Sequence, residues 1–198
     1  GDKGAVYSIE PIDYNLKKLN VNLLLNKCKN VSVLDCVVGK VNKDRIKIYK
    51  VKEEEDRLDN SSVADNINIK NLRLQGSIEE IEVKQITIDS LSSLINKKID
   101  LIKIDVEGYE IEVLKGALKT IKSQRPILII EVNPKRLLDL SVDVYEYTNI
   151  ICDYYDCYEI LNPNTYEDNF SLEPLSKFED KEISSDVLCI PKVDIFHY

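Results

Sequence analysis

The segment DVEGYE, residues 105–110, holds three carboxylic acids in six positions at the end of an apolar run over 100–105. A carboxylate at a strand tip can take the proton from a hydroxyl while that oxygen attacks an electrophile. Gly108 lets the backbone turn tightly or approach a ligand closely. Glu110 also has an ordinary explanation, because an acid at a helix start complements the helix dipole. Asp105 and Glu107 are less easily dismissed. A strand-end acid taken alone is more often structural than catalytic, so spacing leaves the two readings level. Two further apolar runs end in or near an acid, 5–10 at Glu10 and 126–132 at Glu131. Glu10 is placed to accept both hydroxyls of a nucleoside ribose, as acids do in dinucleotide-binding folds. Its bland reading is a solvated acid, and Pro11, which fixes the chain direction, favours the ligand. Asp105 with Glu131 suits a divalent cation, since hard cations take carboxylate oxygens, but without a fixed third ligand no metal is expected. Lys103 interrupts an apolar strand and is expected to reach Glu131 in a structural, partly buried pair.

What the sequence lacks narrows the chemistry further. The only His is His197, the second-last residue, so mechanisms built on a core imidazole are disfavoured. Five cysteines, Cys28, Cys36, Cys152, Cys157 and Cys189, are odd in number and show no CxxC spacing. That argues against a zinc site and a disulfide framework; Cys152 and Cys157 could pair, but buried thiols in a reducing compartment are the expected state. Lys and Arg total 27 against 35 Asp and Glu, a net charge of −8. Phosphate-backbone binding needs clustered positive charge, so nucleic acid is not an expected partner. The tyrosines at 145, 147, 154, 155 and 158 read as helix packing rather than a base-stacking platform for the same reason. No apolar run is long enough to cross a bilayer and no signal segment opens the chain, so a soluble, cytoplasmic protein is expected.

The elements that must position these acids follow from periodicity. Strand patterns fall at 5–10, 31–38, 45–51, 81–88, 100–105 and 126–132, with two closing strands at 157–161 and 186–190. Helical patterns lie after Asp13, with Leu16, Leu19, Leu23 and Leu24 on one stripe, and after Asp89, which is expected to cap a short helix. Others carry Ile111 to Leu118, and cover 134–140 and 144–155. Residues 52–80 are polar and acidic and read as a loop with a hairpin. Strands alternating with helices, the strands near-continuously apolar, predict one α/β domain over 1–198 around a mostly parallel sheet with helices on both faces. The last two strands lack a helix between them and are expected to form an antiparallel edge pair. Ligands sit beyond the carboxyl ends of strands in such sheets, the side on which Glu10, Asp105 and Glu131 fall.

Several segments together resemble the FkbM family of S-adenosylmethionine-dependent methyltransferases. They are VYSIEP (6–11) with Tyr14, Leu16 and Leu19 after it, TIDSL (87–91), IDLIKIDVEGYEIEVLKGA (99–117), RPILIIEV (125–132) and, more weakly, VLCIP (187–191). They run in the family's order from Val6 to Pro191, and the long central piece is the most specific. The resemblance implies a class I methyltransferase-like fold with a seven-stranded sheet, six strands parallel. It implies that Glu10 and Pro11 help bind the cofactor, that Asp35, Cys36 and Val37 lie beside its adenine, and that Asp105 and Glu107 sit where substrate and methyl donor meet. Residues 52–80 would help shape the acceptor pocket. In the family VYSIEP is normally the second strand, after a first strand and a glycine-rich loop that holds the methionine end of the cofactor. With no Met in the sequence, the chain is expected to be the C-terminal portion of a longer one and to bind cofactor poorly.

The resulting expectation is an S-adenosylmethionine-dependent O-methyltransferase for a hydroxyl of a sugar, glycan or secondary metabolite, with Asp105 first and Glu107 second as proton acceptor, and Glu131 a distant third. One rival is an inactive or truncated binding relative. Another is a nucleotide-sugar or dinucleotide enzyme, which Glu10 fits but for which no GxGxxG appears.

Overall fold

Strands β1 (Val6–Ile9) and β2 (Val31–Leu34) pair in parallel, Val6 against Val31 through Ile9 against Leu34. Parallel neighbours need a crossover, and helix α1 (Asp13–Leu25) supplies it. Ile12 is the N-cap of α1 and makes no side-chain cap, so Asp13 lies in the first turn rather than capping it. Leu16, Leu19 and Leu23 are half-buried, whereas Leu24 is exposed and leaves the predicted stripe. The structure is a computed structural model that describes residues 3–51, 63–64, 78–161, 170–180 and 184–193. His197 and most of the loop predicted over 52–80 lie outside these residues. The chain forms two compact units, Gly1–Thr87 and Ile88–Tyr198.

In the first unit the strand predicted over 31–38 is two strands. After β2 the chain breaks pattern at Asp35-Cys36 and re-enters as β3 (Val37–Val38), which pairs in parallel with β6 (Ile78–Ile86). Strand β4 (Lys43–Val51) runs antiparallel to β6 and to β5 (Val63–Ala64), giving the order β3-β6-β4-β5. Alternate residues of a strand share a face, so Ile46 and Ile48 of β4 point together into a cluster with Ile12, Val37, Ile81 and Val83.

The second unit contains α2 (Ile88–Ile95), β7 (Leu101–Ile104), α3 (Glu110–Lys115), α4 (Leu118–Gln124), β8 (Ile127–Val132), α5 (Pro134–Asp139) and α6 (Tyr145–Ile151). Then come β9 (Tyr155–Leu161), β10 (Ser171–Leu175), a 3-10 turn at Phe178–Asp180 and β11 (Ser185–Pro191). Leu128, Ile130 and Val132 alternate along β8 and are fully buried, which makes that strand the spine of this unit. Tyr147 of α6 stacks on Phe178 with ring centroids 5.2 Å apart. The helix predicted over 111–118 divides at Gly116 into α3 and α4. Asp89 does not cap its own helix. It lies inside the first turn of α2, and its carboxylate accepts the N–H groups of Lys119 (3.1 Å) and Thr120 (2.8 Å), capping α4. The first four N–H groups of a helix lack intrahelical partners, and a carboxylate from a neighbouring helix satisfies them as well as a local one.

The mostly parallel sheet expected from the sequence is not what forms. Among the described strands three pairings are parallel, β1–β2, β3–β6 and β7–β8, and five are antiparallel. The fold is mixed α/β. Consecutive strands pair in parallel where a helix connects them, as α1 does for β1 and β2 and α3–α4 do for β7 and β8; β9 and β10, joined without a described helix, pair antiparallel. The order β10-β9-β11-β8-β7 also corrects the C-terminal end. β9 and β11 are antiparallel as expected, but β11 lies inside the sheet between β9 and β8, and the edge is taken by β10, from a stretch that looked merely polar. No helix among the described residues is long and apolar enough to cross a membrane.

Candidate active site

Parallel pairing of β7 with β8 sets Ile104 against Ile130, so Asp105 and Glu131 come next to one another at the carboxyl ends of the two strands. On the other side of β8, Asp186 of β11 is the register partner of Glu131. Asp105, Glu107 and Glu131 each bring a carboxylate oxygen within 4.8 Å of the others. The sequence-predicted pair Asp105 and Glu107 is thus brought together with Glu131, and Asp186 adds an acid that sequence reading missed. Only strand register could have revealed Asp186, since nothing near it in sequence resembles a site.

The turn that carries Glu107 is held in an uncommon shape. Glu107 has φ +59° and Gly108 φ +99°, both in the left-handed region. An acid there costs on the order of 1 kcal/mol or more, and such strain concentrates where geometry matters to function. Gly108 is required for a second reason. A Cβ at that position would meet Leu140 Cδ1 at 2.4 Å. Its absence lets the residues of and just after α5 approach the turn, and Arg136 Nη1 binds Glu107 Oε2 at 2.7 Å. Asn133 caps α5 by accepting the Arg136 N–H at 3.0 Å, which fixes where the arginine starts. Glu110, only 3% exposed, closes the turn from below: its Oε1 accepts the N–H groups of Val106 (3.1 Å) and Gly108 (2.9 Å). The buried Tyr147 hydroxyl donates to its Oε2 at 3.4 Å. Burial pushes the Glu110 carboxyl up despite these donors.

Charges in the cluster are unevenly compensated. Lys103 does not pair with Glu131 as expected; its Nζ binds Asp105 Oδ2 at 2.9 Å, half-exposed. Side chains alternate across a strand, so Lys103 and Asp105, two apart, leave β7 on the same face. Two of the three clustered carboxylates therefore hold a cation, Asp105 through Lys103 and Glu107 through Arg136. Burial, and after it the neighbouring Asp105 and Glu107 carboxylates, push Glu131 up to about 7. Like charges crowded in a partly desolvated site favour retention of a proton. Such a set can accept a proton near neutral pH, or draw a hard cation toward its oxygens.

The residues expected to hold a cofactor lie in the first unit. Glu10 follows β1, and its N–H donates to Leu34 O at 3.1 Å, which sets it beside Asp35 at the carboxyl ends of β1 and β2. Its Oε1 accepts the Ile12 N–H at 2.8 Å, so the side chain is oriented by the backbone that Pro11 directs toward α1. Asp35 is exposed and Cys36 is 5% exposed; burial, then Asp35, pushes the Cys36 thiol up. Val37 begins β3. Glu10, Pro11, Asp35, Cys36 and Val37 thus gather where the chain leaves one sheet for another.

Residues 1–154 match the family described as Methyltransferase FkbM domain, and the chain belongs to that family. No curated protein matches the chain. The crystal structure of methyltransferase FkbM from Methylobacillus flagellatus KT is similar, with a TM-score of 0.50 and 19% identity. That likeness covers 93% of this chain and concerns the fold. The chain spans 36% of the length of that protein.

Proposed function

We propose that this chain carries an S-adenosylmethionine-dependent O-methyltransferase site that acts on a hydroxyl of a sugar, glycan or secondary metabolite, with the whole chain 1–198 contributing to one catalytic domain in the cytoplasm. The observation that carries the reading is the carboxylate cluster of Asp105, Glu107 and Glu131 within 4.8 Å, in a chain of a methyltransferase family. The five free thiols suit a reducing compartment.

The residues at the ends of β1 and β2 fit the donor chemistry. Glu10, held by the Ile12 N–H through Oε1, offers Oε2 to ribose hydroxyls, and buried Cys36 with Val37 gives an adenine ring an apolar neighbour. When bound, S-adenosylmethionine supplies an already activated methyl group, which is why no imidazole is needed. The protein's task is then to hold the acceptor oxygen in line, worth on the order of 7–11 kcal/mol of barrier. Glu131 takes the acceptor's proton. Asp105 and Glu107, the residues ranked first from sequence, are each tied to a cation and act by orienting the acceptor and raising the basicity of Glu131. Both carboxylates can accept hydrogen bonds from the hydroxyls of a polyol.

Transfer of a labelled methyl group from S-adenosylmethionine to a panel of hydroxylated glycans and metabolites tests the reading. Base-labile ester products would point to carboxyl methylation instead. Binding of S-adenosylmethionine without transfer to any acceptor would favour the inactive-relative alternative. Binding of NAD or a nucleotide sugar in preference to S-adenosylmethionine would favour a nucleotide-binding enzyme.

A further inference from the structure

Cys157 of β9 and Cys189 of β11 face each other directly across an antiparallel pair, with Sγ atoms 3.6 Å apart. The ladder shows what kind of pair this is. Lys192 N–H donates to Tyr154 O, and Pro191, which has no N–H, is the partner of Tyr155. Hydrogen-bonded and non-hydrogen-bonded pairs alternate, so Cys189 and Cys157, two residues on, share the non-hydrogen-bonded phase of Pro191 and Tyr155. Side chains are closest at such pairs, and Cα atoms about 4.5 Å apart fall within the span a disulfide bridges. Both cysteines are buried, at 6% and 0% exposure. A third thiol lies nearer the surface: Cys152, part-exposed just after α6, sits beside Cys157, its Sγ donates to Ser176 O at 3.8 Å, and the hydrogen bond with Cys157 and then burial push its thiol up. The sequence suggested Cys152 with Cys157 as the pair that could form. Register instead gives Cys157 a closer match in Cys189.

We propose that Cys157 and Cys189 are a modification site at which a cross-strand disulfide forms by exchange with a low-molecular-weight disulfide such as oxidised glutathione, with Cys152 as the thiol attacked into first. The small thiolate fraction of Cys152, whose thiol is pushed up, attacks the glutathione disulfide in a slow first step, forming a mixed disulfide and releasing one reduced glutathione. Cys157 then attacks the Cys152 sulfur and releases the second. Cys189 attacks the Cys157 sulfur, and Cys152 leaves as a thiolate that regains a proton. In sum, the two protein thiols are oxidised, the glutathione disulfide is reduced, and the two thiol protons end on two reduced glutathiones. The new bond ties β9 to β11, the strand that sets Asp186 beside Glu131. It closes a loop of roughly 30 residues, long enough for a marked effect on the unfolded chain.

The chain 1–198 is incubated with oxidised glutathione, alkylated in denaturant and mapped by mass spectrometry, with Tm read before and after dithiothreitol. The expected product has lost two hydrogens, carries a Cys157–Cys189 cross-link, and leaves Cys28, Cys36 and Cys152 to alkylate. Its Tm rises by about 5 °C, reversibly. Cys189→Ala abolishes the cross-link, and Cys152→Ser slows its formation by about tenfold or more, because neither buried thiol is then reached through a relay. Five alkylated cysteines after oxidation, a reaction that stops at glutathionylated Cys152 or at Cys152–Cys157, or an unchanged Tm would overturn the proposal. An unaltered rate in Cys152→Ser would overturn the relay. The wild-type map decides the pairing even where a variant fails to fold.

Discussion

Gly108 donates its N–H to the buried Glu110 carboxylate at 2.9 Å, and the Val106 N–H reaches the same oxygen. The acid that complements a helix dipole in the sequence is therefore also the clamp of the turn before that helix. Removing it leaves two backbone donors and the Tyr147 hydroxyl short of an acceptor in a buried place. Glu110→Ala is expected to cost about 3 kcal/mol, and Glu110→Gln, which keeps one acceptor oxygen, about 1 kcal/mol. Urea unfolding of the two variants checks the order; equal costs would show that volume, not hydrogen bonding, is what the site needs.

Gly108→Ala meets both a left-handed backbone and Leu140 Cδ1 at 2.4 Å. The turn must shift or Leu140 must move, and a loss of about 2–4 kcal/mol is expected. Gly108→Ala with Leu140→Ala relieves the steric part alone, so the double variant should recover less than the full loss. Thermal unfolding of the single and double variants measures the difference; full recovery would mean that the positive φ carries no cost here.

How much of this was legible in the sequence depends on whether a residue's partner is near it in the chain. The strand ends at Glu10, Asp105 and Glu131, and the turn at Gly108, are local and were legible. Lys103 pairs with Asp105 rather than with Glu131 because residues two apart share one face of a strand, a relation the expected pairing across to β8 left out. Asp186 and Arg136 were missed because register and helix docking place them, and neither leaves a mark in the sequence around them. Strand direction misled the fold as well. A near-continuous apolar run reads as a parallel strand buried on both faces, yet β8 carries one while pairing antiparallel with β11 as well as parallel with β7. The two-residue break at Asp35-Cys36, which turns one predicted strand into two in different sheets, coincides with the residues expected beside the cofactor.

Glu10→Gln keeps an oxygen for the Ile12 N–H but loses the charge that strengthens hydrogen bonds to ribose hydroxyls. The proposed role predicts weaker binding of S-adenosylmethionine by about tenfold, with unfolding midpoints close to wild type. Isothermal titration of the two proteins side by side gives the ratio. An unchanged Kd with normal folding would remove Glu10 from the cofactor site while leaving the carboxylate cluster in the second unit untouched.

Glu131 makes the sharpest prediction, because one substitution should move activity and stability in opposite directions. Its carboxyl is pushed up to about 7 from an ordinary value of 4.5, by burial first and then by Asp105 and Glu107. A carboxyl raised in the folded state binds more protons there than when unfolded. Its favourable contribution is whole below 4.5 and is lost as pH rises toward 7, so wild-type stability should fall across that window. At pH 8 the ionised group carries the full penalty. Glu131→Gln removes it and should be more stable there by about 1 kcal/mol, a figure reduced for solvent screening at a partly exposed site. Methyl transfer needs the ionised form, so the wild-type rate should rise through pH 7 and level off above it. In Glu131→Gln it should drop by about 10²–10⁴-fold, mainly in kcat, with the acid limb lost. A variant that is more stable at pH 8 yet retains the wild-type rate would keep the electrostatic picture and return the proton acceptor to Asp105.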